Sequence, residues 1–145
     1  MNELSKELNS FLANLCVFYR KLQNYHWNII GKDFFVLHAK LEEYYDDVNS
    51  QIDEIAEHIL TLGKQPLGTM KDYLEIASIQ EAKNEKVEDK EVFTKIIADY
   101  ELLLQTATSI KELAEEKKSA ATSSLMDDYI LDYSKKLWML KQSME

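Results

Sequence analysis

Seven apolar residues, Leu4, Leu8, Phe11, Leu15, Phe18, Leu22 and Tyr25, follow one another in alternating steps of four and three. An α-helix with one buried stripe returns side chains to the same face at that spacing, whereas a strand needs steps of two. The rhythm recurs from Phe34 through Leu37, Leu41, Tyr44, Val48, Ile52, Ile55, Ile59 and Leu62, and again through Val92, Ile96, Tyr100, Leu103, Ala107, Ile110 and Leu113. It recurs less regularly in Leu125, Tyr129, Tyr133, Leu137 and Leu140. With only three Gly and one Pro in the chain, little breaks these segments internally. Four long helices, each with one stripe to bury, predict an all-α fold, a four-helix bundle.

The punctuation sets the connections. β-branched residues and Gly31 end the first helix around Ile29 to Lys32, and Asp33 offers an N-cap for the second. Two helices joined so briefly run antiparallel. The second ends at Gly63, after which Pro66 and Gly68 break the chain and Thr69 can cap a short helix from Met70 to Ala77. Gln80 to Lys90 is charged and expected to face solvent, so a long crossover carrying a short extra helix joins the bundle halves. The third and fourth helices are expected over Glu91 to Glu116 and Ser123 to Gln142. At 145 residues the chain has the length of one domain, covering 1–145.

The formal charge of −9 disfavours sequence-independent nucleic-acid binding, which depends on Lys and Arg neutralising phosphates, and suits cations instead. A single cysteine, Cys16, excludes an intrachain disulfide framework and fits a reducing compartment. Beside Leu12, Leu15 and Tyr19 it reads as a packed thiol. The N-terminus has no basic region followed by an apolar run, and no uncharged stretch is long enough to span a bilayer. A soluble, cytoplasmic protein with no membrane partner is the expectation.

Two pairs of candidate metal ligands lie one turn apart on the second helix, His38 with Glu42 and Asp53 with Glu57. At 100° per residue they fall at about 0°, 40°, 60° and 100° around the axis, on one stripe. Imidazole and carboxylate together suit iron or manganese. His38 and Glu57 are, however, nineteen residues apart, or roughly 28 Å along the axis, too far to share an ion. Two copies of the helix crossing antiparallel about a two-fold axis near Asp47 set His38 and Glu42 of one opposite Asp53 and Glu57 of the other. His26 lies about as far before the interhelical turn as His38 lies after it, so one chain offers His26, His38 and Glu42 and its mate offers Asp53 and Glu57. Solvated i,i+4 charges and structural histidines are the ordinary explanation of each residue taken singly. Their common stripe and matching height favour a shared metal site. Asp46 and Asn49, near the axis, are read as solvated, and His58 with Glu54 as a surface pair. No E-x-x-H motif supports an intrachain di-iron centre, and no Walker loop, G-x-G-x-x-G turn or C-x-x-C pair occurs.

Leu22-Gln23-Asn24-Tyr25-His26-Trp27-Asn28, then Gly31, Asp33-Phe34-Phe35, Leu37-His38 and Glu42, resembles the Dps family of mini-ferritins. The resemblance continues through Ile52 to Glu57 and Leu67 to Lys71 and reaches Trp138-Met139. It implies a ferritin-like homo-dodecamer of 23 symmetry around a cavity for ferric mineral. It also implies ferroxidase centres between two-fold-related subunits, built from His26, His38 and Glu42 of one chain and Asp53 and Glu57 of its mate. Fe²⁺ and hydrogen peroxide, or O₂, are the implied substrates, protection against oxidative stress the implied role, and Trp27 a neighbour of the centre. Glu42 departs from the Asp of many relatives but keeps the charge. Relatives that condense DNA often carry a lysine-rich tail, whereas residues 1–9 hold only Lys6 against Glu3 and Glu7, so DNA binding is expected to be weak or absent. Relatives line three-fold pores with aspartates where this chain reads Ala120-Ala121-Thr122-Ser123-Ser124; Glu115, Glu116, Asp127 and Asp128 flank that stretch.

Two other readings compete with the ferroxidase cage. A DNA-protecting protein with secondary iron chemistry would bind DNA tightly despite its charge. A signalling bundle with a phospho-accepting histidine would run as a monomer or dimer.

Overall fold

The structure, a computed structural model, describes residues 2–144, so Met1 and Glu145 of the expected 1–145 domain lie outside it. Four long helices form the bundle: α1 (Asn2–Asn28), α2 (Phe34–Thr61), α4 (Asp89–Glu116) and α5 (Ala120–Ser143), with the short α3 (Met70–Ile76) in the crossover. α1 packs on α2 and α4 on α5 as two hairpins, and α1 also meets α4. All seven residues of the α1 stripe are buried, and Tyr100 and Tyr133 sit fully enclosed among Phe11, Phe18 and Tyr44 at the centre. Lys21 and Asp99 form a buried ion pair at 2.8 Å between α1 and α4.

The crossover is held to α1 by a series of asparagines. Asn9 Oδ1 accepts from Leu67 N–H, Asn14 Oδ1 accepts from the N–H groups of Ser78 and Ile79, and Asn24 donates to the carbonyls of Ala82 and Lys83. Thr69 caps α3 as expected, its hydroxyl accepting from Asp72 N–H at 3.2 Å. The segment then ends in a feature the periodicity does not reveal. β1 (Ile29–Ile30) pairs in parallel with β2 (Val87–Glu88), Ile29 opposite Val87. The expectation that Gln80 to Lys90 faces solvent thus fails at Val87, which is buried, because β-branched Ile29 and Ile30 supply a two-residue partner. This pairing fixes the start of α4 at the end of the bundle where α1 finishes.

Other boundaries shift slightly. α4 starts at Asp89, two residues before the expected Glu91, with both acids in its positively polarised first turn. α5 starts at Ala120 rather than Ser123, after a tight turn in which Lys118 adopts φ 60° and Ser119 N–H donates to the Ala114 carbonyl at 2.7 Å. Its stripe consequently runs Thr122, Met126, Tyr129, so Met126 takes the core position expected of Leu125, and Ala114 likewise replaces Leu113 on α4. Asp33 occupies the N-cap position of α2, but its side chain makes no capping bond there. Its backbone N–H instead donates to Asp89 Oδ2 at 3.2 Å. Cys16 is half-buried, and burial pushes its thiol up to about 11, in keeping with a packed, unreactive group. Among the described residues no helix is long and apolar enough to cross a membrane.

Candidate metal centre

His26 is in the last turn of α1 and His38 in the second turn of α2, and the intervening hairpin brings their rings face to face. The imidazoles stack with centroids 3.7 Å apart and planes 10° from parallel. His26 Nδ1 lies 2.6 Å from the His38 carbonyl oxygen, and His38 Nδ1 lies 2.7 Å from the His26 carbonyl oxygen. A carbonyl can only accept, so each Nδ1 carries the proton and donates it. In the neutral ring this leaves the lone pair on Nε2, the arrangement that orients a histidine toward a metal.

Aromatic neighbours clamp the pair from both sides. Phe34 stacks on His38 at 4.9 Å, and Tyr45 meets His26 edge-on at 5.4 Å. His26 is buried, yet its Nε2 reaches to 3.8 Å from Glu42 Oε1. Of the five predicted ligands the structure thus pairs His26 with His38 and sets Glu42 near His26, without closing the three into one metal-holding group.

Asp53 and Glu57 lie further along α2 and are exposed. From Glu42 to Asp53 the helix advances by roughly 16 Å, so within one chain the carboxylates cannot complete the histidine cluster. Among the described residues no three His, Cys, Asp or Glu side chains stand close enough to hold a metal ion. His26 on α1 with His38 and Glu42 on α2 thus stands well apart from Asp53 and Glu57 further along α2. Asp46 and Asn49, between them, are exposed, as the sequence suggests. Trp27 follows His26 on the exposed side of α1, with the Arg20 guanidinium 5.9 Å from its ring centroid.

His58 and Glu54 are not a surface pair. His58 Nε2 lies 2.8 Å from Thr122 Oγ1 on α5, and burial lowers the imidazole pKa. Glu54 instead accepts a hydrogen bond from the Tyr129 phenol. Sequence reasoning also passed over Phe34 and Tyr45 as site residues. Their only signal is position, Phe34 four residues before His38 and Tyr45 three after Glu42.

A ferritin family profile, described as a ferritin-like domain, matches residues 5–145. DNA protection during starvation protein 2 of Bacillus anthracis is 41% identical over 92% of this chain and 91% of its own length. The chain belongs to the Dps family of ferritin-like proteins. A Vibrio cholerae O1 Dps structure, described as a member of a broad superfamily of ferritin-like diiron-carboxylate proteins, superposes with a TM-score of 0.95 at 41% identity, covering 99% of this chain and 90% of that one. The Dps structure from Bacillus brevis gives 0.96 at 34% identity, covering 99% and 96%. Most of each relative's length is therefore represented in the fold described above.

Proposed function

We propose that this Dps chain stores iron in a dodecameric cage and oxidises Fe²⁺ at centres shared between two-fold-related copies. The observation that carries this reading is the reciprocal clasp of His26 and His38, which fixes both Nε2 lone pairs for a cation while leaving the donor set incomplete within one chain. His26, His38 and Glu42 of one copy and Asp53 and Glu57 of a second complete it. The protein's apolar surface supports assembly, since Phe35 is 84% and Val36 75% exposed beside the histidine cluster, with Leu131 and Trp138 bare on α5. The diiron-carboxylate description of the Vibrio cholerae relative supports iron as the metal.

The donor chemistry suits Fe²⁺ as substrate. Neutral imidazoles and carboxylates bind it without locking it in place, and the carboxylates favour the higher charge of Fe³⁺ as it forms. Two Fe²⁺ ions each give one electron to hydrogen peroxide, the O–O bond breaks, and two protons complete two waters. Both electrons are used together, so no hydroxyl radical is released. Fe³⁺ then passes to mineral in the cavity, drawn by acidic side chains. We place the protein in the cytoplasm, protecting against peroxide.

Sizing chromatography followed by an Fe²⁺ plus peroxide assay tests the reading. Twelve chains of 16.9 kDa elute near ~200 kDa. His26→Ala with His38→Ala is expected to abolish fast oxidation and keep the cage, because neither histidine belongs to the apolar stripes that pack α1 against α2. Wild-type rates in that variant would refute the site.

The name of the Bacillus anthracis relative gives a second reading, DNA protection. The charge of −9 argues for weak or no DNA binding here. Gel retardation at physiological salt separates the two, and a tight, salt-sensitive complex would favour protection through binding.

A further inference from the structure

None of the seven residues of α3 is buried. Tyr73 rests against the core, but Met70 is 62% and Leu74 52% exposed, and the helix also carries the carboxylates Asp72 and Glu75. A helix this short draws its stability from packing an apolar face, so Met70 and Leu74 mark a face without its cover.

The face of α1 on which α3 packs continues beyond it. Taking Cys16 as zero, 100° per residue puts Asn9 at about 20°, Arg20 at about 40° and Trp27 at about 20°, all on one stripe of the helix. The N-terminal half of that stripe lies under the crossover, where Asn9 holds Leu67 and Cys16 hydrogen-bonds with Tyr73. The C-terminal half is bare: Arg20 is exposed, its guanidinium stacks on Trp27, and Trp27 is 59% exposed. Along one face, α1 thus presents a step followed by a recess. Arg20 in the recess is the only arginine of the chain, and the ion pairs among the described residues involve neither Arg20 nor Asp72 nor Glu75.

The two-fold pairing proposed above, on which this inference rests, fixes what meets the recess. It crosses copies of α2 antiparallel, so α1 lies on the same flank in both copies with its direction reversed. His26 is level with His38 in the hairpin, and the pairing sets His38 level with Glu57 of the second copy. Counted at equal rise per residue, Arg20 then comes level with Ala13 of that copy. Ala13 lies within the stretch of α1 that carries Leu67 to Tyr73. The recess of each copy therefore faces the step of the other.

We propose that α3 is a clasp for a second copy of this chain: it enters the recess of the two-fold-related subunit, with Met70 against the stacked Arg20 and Trp27 and with Asp72 and Glu75 facing the guanidinium. The contact is isologous, so each pair of copies makes it twice. Its apolar part excludes water, while its charges set the register and reject a mismatched partner. Trp27 directly follows His26, so the clasp also holds the two halves of the metal centre together.

Charge reversal in the intact protein tests the clasp by sedimentation velocity over a dilution series. Arg20→Glu, and separately Asp72→Lys with Glu75→Lys, are expected to dissociate at concentrations about tenfold or more above wild type, because like charges then meet twice in each pair. The variant carrying all three substitutions restores opposite charges and is expected to regain most of the lost assembly. Circular dichroism checks each fold. Wild-type assembly in both partial reversals, or no recovery in a triple variant as helical as wild type, overturns the clasp. A parallel Fe²⁺ plus peroxide assay separates this outcome from the reading beneath it. Charge-dependent loss and recovery of assembly without fast Fe²⁺ oxidation in wild type upholds the clasp and removes the ferroxidase reading. Fast oxidation by cages indifferent to the reversals removes the clasp alone, and a wild-type chain that stays monomeric removes both.

Discussion

Asp89, the first residue of α4, fills the space where Gly31 would carry a Cβ: an atom built there comes within 2.7 Å of Asp89 Oδ2 and 2.9 Å of its Cγ. Gly31 also holds φ +123°, a region that L side chains rarely adopt. The same carboxylate accepts from Asp33 N–H, so Asp89 braces the turn that brings His26 and His38 together. Gly31→Ala is therefore expected to lower stability by about 1–3 kcal/mol, the usual cost of a residue forced into such backbone. Adding Asp89→Ala should recover part of that loss, because it removes the clash though not the strain. Chemical denaturation of the two single mutants and the double mutant measures this, and strictly additive losses would show that the two residues do not interact.

Asn14 is buried, and its Oδ1 serves two backbone N–H groups, those of Ser78 and Ile79, at 2.8 and 2.9 Å. Asn14→Ala leaves both donors without a partner at the point where the crossover lies on α1. A buried donor left unsatisfied costs about 1–3 kcal/mol. Amide exchange at Ser78 and Ile79 should accelerate strongly in Asn14→Ala while amides of the bundle centre change only with global stability. Unaltered protection at those two amides would mean that other contacts hold the crossover.

The pattern that made the bundle legible is the alternation of four and three, and it worked best where side chains are large. Every α1 stripe residue is buried, and Leu12, Ala13 and Val17 beside the stripe are buried too, so α1 is covered on more than the one face that the periodicity marks. Leu125 and Leu113 were misplaced because their rivals are Met126 and the small Ala114, and a small or flexible side chain gives little phase information. β1 and β2 are two residues each, below what periodicity can detect. At the candidate site, the matching heights of His26 and His38 could be read from their distance to the turn. Their clasp could not, since both acceptors are backbone carbonyls that leave no mark on the sequence. Tyr129 reads from sequence only as a core position, and its bond to Glu54 joins residues 75 apart in the chain.

His58 sets a pH dependence whose sign follows from its burial. The folded state lowers its pKa below the ordinary 6.5 despite the opposing pull of Glu54. The unfolded chain then takes up the proton at a higher pH than the folded one, so stability is unaffected well above that value and falls as pH drops toward the folded pKa. His58→Gln should lose less stability than wild type between about pH 8 and about pH 5, a range spanning the normal histidine titration. Equal losses in the two proteins, read by denaturant midpoints, would assign the acid sensitivity to other groups.

Sharing of the metal centre is tested most directly by mixing two inactive chains. His26→Ala/His38→Ala and Asp53→Ala/Glu57→Ala should each lack fast peroxide-driven Fe²⁺ oxidation when assembled alone. Dissociated and reassembled at equal ratio, half the two-fold pairs are mixed, and each mixed pair regains one intact centre of two, which predicts about a quarter of the wild-type rate. No recovery in shells shown by mass spectrometry to contain both chains would contradict a centre divided between subunits.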